Sequence, residues 1–117
     1  MTDRDPDCLF CKIVAGEIPS DRVLEDDDVI AFRDIAPRAP THVLVIPRRH
    51  IPDAHALAAK DGPLLGALFA AVRRIADDAG LDRGYRVVTN VGPESGQTVF
   101  HLHLHLLGGR SMGWPPG

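Results

Sequence analysis

Read for the alternation of apolar and polar positions, the chain divides into short runs of strand character around one long stretch of helical character. Arg22 to Glu25 and Val29 to Arg33 are β-like, and Asp26-Asp27-Asp28 between them reads as a hairpin turn. His42-Val-Leu-Val-Ile-Pro47 is a buried strand by its β-branched content, and Pro47 ends it. From Asp61 to Gly80 the period becomes helical: Leu64, Leu65, Leu68, Phe69, Val72, Ile75 and Ala76 recur so as to face a sheet. Asp61 suits the cap of this helix, Pro63 its first turn and Gly80 its exit. A strand follows at Tyr85 to Asn90, then a Gly-rich loop at Val91 to Gln97 and a last strand from about Val99 to Leu107. Near the start, a short amphipathic helix around Cys8 to Ala15 is stopped by Gly16 and Pro19. Short connections and one long helix between the third and fourth strands predict an α+β fold, a five-stranded antiparallel sheet with a long helix and a short N-terminal helix.

The last strand carries the chemistry. On a strand the side-chain period is two, so His101, His103 and His105 share one face while Leu102, Leu104 and Leu106 face the core. A solvated strand face would ordinarily carry Lys, Thr, Glu or Arg. At a rise of about 3.3 Å per residue the outer two Cα atoms are about 13 Å apart, too far for one tetrahedral ion. The row therefore divides its labour: one end is free to bind metal while the middle and far end do something else. Neutral imidazole suits attack on phosphorus near pH 7, provided its second ring nitrogen is held by a fixed acceptor.

The loop ahead of this strand has the parts of an anion cradle. Gly92 and Gly96 let backbone N–H groups approach closely, and Asn90, Gln97 and Thr98 add neutral donors. Cys8 and Cys11, the only cysteines, have metal-knuckle spacing but no second pair, so two further ligands would have to be histidines. His50 and His101 are the best placed. Zinc, a redox pair and two inert thiols all remain open on spacing alone.

Composition narrows the class. The chain has 117 residues, enough for one domain and too few for a second. A net charge of −3 leaves no broad basic footprint for nucleic acid, and no apolar run is long enough to cross a membrane. Mean hydropathy of −0.04 fits a soluble protein. The acidic amino-terminal MTDRDPD lacks the features of a secretory signal, so the expected location is cytoplasmic. Trp114, in Trp-Pro-Pro-Gly, cannot belong to a helix or inner strand and is best explained by docking on a neighbouring subunit.

His101-Leu-His-Leu-His-Leu-Leu107 resembles the signature of the histidine triad family. The likeness extends over CLFCKIVAGEIPS, AFRDIAPRAPTHVLVIPRRH, NVGPESGQTVFHLHLHLLGGR and the ending WPPG, and points to the nucleotide-binding branch. It implies a single domain over residues 1–117, with residues 108–117 a tail packing on the partner of a homodimer whose sheets join across the two-fold axis. It also implies hydrolysis of adenosine 5′-monophosphoramidates and related purine nucleoside phosphoramidates through a nucleotidyl-histidine intermediate. By the same resemblance His103 is the nucleophile, His105 hydrogen-bonds the phosphate with Asn90 and Thr98, and His42 supports the triad. Asp34 takes the ribose hydroxyls, Phe10, Ile13, Ile18, Phe32, Ile35 and Leu44 line the base pocket, and Trp114 in the tail reaches the partner's nucleotide site. Many relatives hold a structural zinc on the equivalents of Cys8, Cys11, His50 and His101. Thr98 stands where serine is common, Arg33 where histidine is frequent, and Ser111 and Gly113 where bulkier residues are. Other readings are a dinucleoside polyphosphate hydrolase, a nucleotide-binding regulatory module with little turnover, and a catalytic zinc held by His103 and His105.

Overall fold

The structure, a computed structural model, describes residues 4–117; the first three residues of the acidic amino-terminal stretch lie outside it. Five strands, β1 (Arg22–Glu25), β2 (Val29–Arg33), β3 (Thr41–Pro47), β4 (Tyr85–Val88) and β5 (Leu104–Gly108), form one sheet in the order β1-β2-β3-β5-β4. Every pairing is antiparallel. The long helix α2 (Gly62–Asp78) joins β3 to β4, and the short helix α1 (Leu9–Val14) precedes β1. The expected fold class is the observed one.

The two faces of the sheet follow from strand alternation. Val29, Ala31, Val43, Val45, Leu104 and Leu106 point to one side, where Leu68, Ala71, Val72 and Ile75 of α2 close over them. Ile30, Phe32, Leu44 and Ile46, the intervening positions, point to the other side and meet Phe10, Cys11 and Ile13 of α1. Neighbouring residues on one strand thus serve different structures. The hairpin is closed as expected: the Asp26 carboxylate accepts the N–H groups of Asp28 and Val29 at 2.9 and 2.8 Å.

Three boundaries differ from expectation, each because a polar group is engaged elsewhere. Asp61 does not cap α2 with its side chain; its carboxylate accepts Ala58 N–H at 2.9 Å and pairs with Arg49 at 2.7 Å. Those two partners hold its carboxyl below the usual range, the Ala58 N–H most strongly. Strand β4 stops at Val88, and Thr89 instead donates its hydroxyl to His103 O at 2.8 Å. Strand β5 begins at Leu104, not near Val99, because the preceding backbone bonds outside the ladder. His101 O accepts from the His103 ring, and Leu102 N–H donates to Ile51 O at 2.6 Å.

Candidate functional site

His42, His101, His103 and His105 lie on the α1 side of the sheet, opposite the face occupied by Val43, Leu102, Leu104 and Leu106. Register places Leu44 directly opposite His105, and His42, opposite Leu107, on the diagonal within side-chain reach. The resulting contacts set the ring tautomers one after another. Arg38 N–H donates to His42 Nδ1 at 3.0 Å, so the His42 proton sits on Nε2. His42 Nε2 lies 2.9 Å from His105 Nδ1 and donates to it. His105 must then carry its own proton on Nε2, which makes it a hydrogen-bond donor there. Asp34 Oδ2 stands 3.5 Å from His42 Nε2, and its other oxygen accepts Ala36 N–H at 2.8 Å.

His103 is oriented in the opposite sense. Its Nδ1–H donates to His101 O at 2.7 Å, which leaves the Nε2 lone pair uncommitted. The Phe10 ring meets the His103 ring edge-on at 5.1 Å, and the His105 ring lies 5.0 Å from it. A bare nitrogen and an N–H donor therefore sit side by side. Burial is the main cause holding His42, His103 and His105 below the ordinary imidazole range. For His105, pushed down to about 4, the neighbouring His103 and His42 add to burial while Asp34 opposes it. All three rings are accordingly neutral at pH 7.

Behind the triad, Cys8, Cys11, His50 and His101 converge. Tetrahedral zinc with its usual bond lengths separates nitrogen ligands by about 3.3 Å and a nitrogen from a sulfur by about 3.5 Å. The His50 and His101 Nδ1 atoms are 3.3 Å apart, and His101 Nδ1 is 3.5 Å from each sulfur. Cys11 Sγ to His50 Nδ1 is 3.3 Å. His101 Nε2–H donates to Pro47 O at 2.8 Å, turning Nδ1 toward the cluster as a metal ligand requires. Donor chemistry and geometry both fit zinc. Along the histidine row, His101 lies beside the cysteines and His105 beside His42.

The remaining predicted site residues are placed unequally. Phe10, Ile13, Phe32 and Leu44 are buried together beside the histidines, with Ile18 packed against them. Asn90 is half-buried and Thr98 exposed at either end of the loop. Gly92 and Gly96 adopt φ of 85° and 94°, the left-handed region that favours glycine. Gln97 is turned inward: its amide accepts Gly92 N–H at 2.8 Å and donates to Pro52 O and Val99 O. It braces the loop, and its donors are used up. Ile35 is fully exposed and Trp114 86% exposed, so neither is packed within the chain. A cavity of about 560 Å³ between the α2–β4 turn and the tail, near Tyr85, Arg86 and Met112, is lined by none of the histidines. Sequence reasoning missed Thr89, the Arg38 N–H and the Pro47 carbonyl. Two of these act through backbone atoms, which residue identity does not disclose.

Fold and site together define an α+β protein with a histidine-lined face. A HIT domain profile matches residues 15–112, most of the chain, and the chain belongs to the HIT family. A HIT family hydrolase from Legionella pneumophila superposes with a TM-score of 0.93 at 51% identity, covering 95% of this chain and 100% of that one. A histidine triad nucleotide-binding protein from Candida albicans gives a TM-score of 0.80 at 34% identity, covering 93% and 83%. Among sequence relatives, an uncharacterised HIT-like protein of Synechococcus elongatus is 55% identical over 111 residues, 95% of this chain and 97% of its own. A 14 kDa zinc-binding protein of Brassica juncea is 46% identical over 113 residues, 95% of this chain and all of its own. Among the described residues no helix is long and apolar enough to cross a membrane.

Proposed function

We propose that the protein hydrolyses purine nucleoside 5′-phosphoramidates by covalent catalysis at His103. The observation that carries this reading is the opposed pair of tautomers, a free Nε2 on His103 beside an Nε2–H on His105. His103 Nε2 attacks phosphorus as the P–N bond breaks, and the departing nitrogen leaves as an amine after taking a proton from water. The phosphorylated ring is cationic, and its Nδ1–H remains on the His101 carbonyl. Water then attacks phosphorus, releasing the nucleoside monophosphate and a proton and restoring neutral His103. His105 donates to a phosphoryl oxygen throughout, where negative charge accumulates.

In this reading Asp34 accepts from the ribose hydroxyls, and Asn90 and Thr98 add donors to the phosphate. The apolar group around Phe10, Phe32 and Leu44 receives the base. Zinc, when bound to the Cys8, Cys11, His50 and His101 cluster, is structural. The exposed Ile35 and Trp114 are surfaces for the second copy of a homodimer in the cytoplasm. Nucleic acid and membrane are not partners. Steady-state assay on adenosine 5′-monophosphoramidate, a dinucleoside polyphosphate and a mock control tests the substrate class. Turnover of the phosphoramidate at least about tenfold above the others is expected. Preference for the dinucleotide, or binding of adenosine monophosphate with no turnover of either, would reject the proposal.

A further inference from the structure

His101 belongs to two constellations at once. Its Nδ1 stands 3.3–3.5 Å from three other candidate metal ligands, while its carbonyl receives the His103 Nδ1–H at 2.7 Å. A second connection runs through α1. Phe10 lies between the two cysteines in sequence, and its ring contacts those of His101 and His103 at 6.0 and 5.1 Å. The helix that carries it has six residues and is capped by Cys8, whose sulfur accepts Cys11 N–H at 3.3 Å. So short a helix has little stability of its own and depends on what ties it down.

We propose that the Cys8, Cys11, His50 and His101 cluster, holding a divalent cation, positions His103 through the His101 carbonyl and the Phe10 ring. This rests on the reading of His103 as nucleophile. Cation binding draws the four ligands to one centre, which fixes the His101 main chain on one side of the His103 ring and Phe10 on another. Without it, α1 keeps its apolar contacts and the Arg22 hydrogen bond to Ile13 O, and the two constraints on the His103 ring are weakened. His101 and Phe10 are positioning residues, since neither is asked to touch phosphorus.

The test uses the full chain labelled with ¹⁵N at histidine, loaded with zinc or stripped by chelation, with circular dichroism to follow the fold. Imidazole nitrogen resonances report the His103 tautomer, and rapid-quench mass spectrometry reports its rate of nucleotidylation. Zinc-loaded protein is expected to show a single Nδ1–H form at His103. Stripping should produce mixed tautomers and slow nucleotidylation by about 10- to 100-fold, while the His42–His105 hydrogen bond persists. An unchanged His103 tautomer and rate in a folded, metal-free chain would overturn the proposal. If stripping unfolds the chain, the decision passes to cadmium exchange and to zinc-loaded Phe10→Leu. Each should move the His103 Nδ1–H resonance, and failure of both to do so overturns it equally. Absence of nucleotidylation under every metal condition would count against the proposed function alone, because the tautomer is read without substrate.

Discussion

On the α2 side of the sheet, Val43, Val45, Leu104 and Leu106 meet Leu68, Val72 and Ile75, and shape and volume are all that the contacts require. One residue along the same strands, His42, Leu44 and His105 face the other way, and there the contacts are directional. Apolar packing tolerates rearrangement at modest cost, whereas a ring with the wrong tautomer offers a proton where a lone pair is needed. The sheet therefore separates stability from chemistry by strand alternation. Substitutions on the α2 face should alter melting and leave the reaction intact; substitution of His103, on the other face, should do the reverse.

The largest effect should come from His103→Asn, which keeps a polar side chain and removes the attacking nitrogen. Turnover should fall by about 10⁴-fold or more with little change in melting temperature. Leu68→Ala is the opposite case. Leu68, on the sheet-facing side of α2, is fully buried, and its truncation should cost about 2–5 kcal/mol in chemical denaturation, with kcat/KM unchanged while the protein remains folded. His42→Phe deletes the N–H that sets the His105 tautomer and should lower kcat about 100-fold. His42→Gln, which can accept from Arg38 and donate to His105, should recover part of that loss.

A smaller effect concerns pH. The His105 folded value of about 4 lies below the unfolded value of about 6.5, so between them the unfolded chain binds more protons. The corresponding stability is fully present above about pH 6.5 and is lost as pH falls toward 4. Its size is about 3 kcal/mol, and His105→Gln should reduce the slope of that part of the profile while Leu68→Ala leaves it unchanged. Denaturant melts across this range at constant ionic strength provide the measurement.

The comparison also explains what could be read from the chain in advance. Alternation of His with Leu over residues 101–106 already implied one histidine face and one core face, and both are observed. The spacing argument that split the row fits His101 beside the cysteines and His105 beside His42. The start of β5 was misplaced because alternation continues through Leu102 and His103 although their backbone groups bond outside the ladder. Gln97 resembles a ligand because an amide has the same donors whether it faces a phosphate or, as here, the backbone of Gly92, Val99 and the distant Pro52. Ile35 and Trp114 have no packing within the chain, so a single sequence offers no internal register by which to place them.

The central claim is a covalent bond between phosphorus and His103 Nε2. Intact-mass spectrometry after rapid acid-free quench with adenosine 5′-monophosphoramidate, followed by peptide mapping, tests it most directly. The expected result is one added adenylyl mass on the wild-type chain, located on the peptide containing His103 and absent from His103→Asn. Product formation by wild type with no adduct at any quench time, or an adduct that persists in His103→Asn, would contradict it.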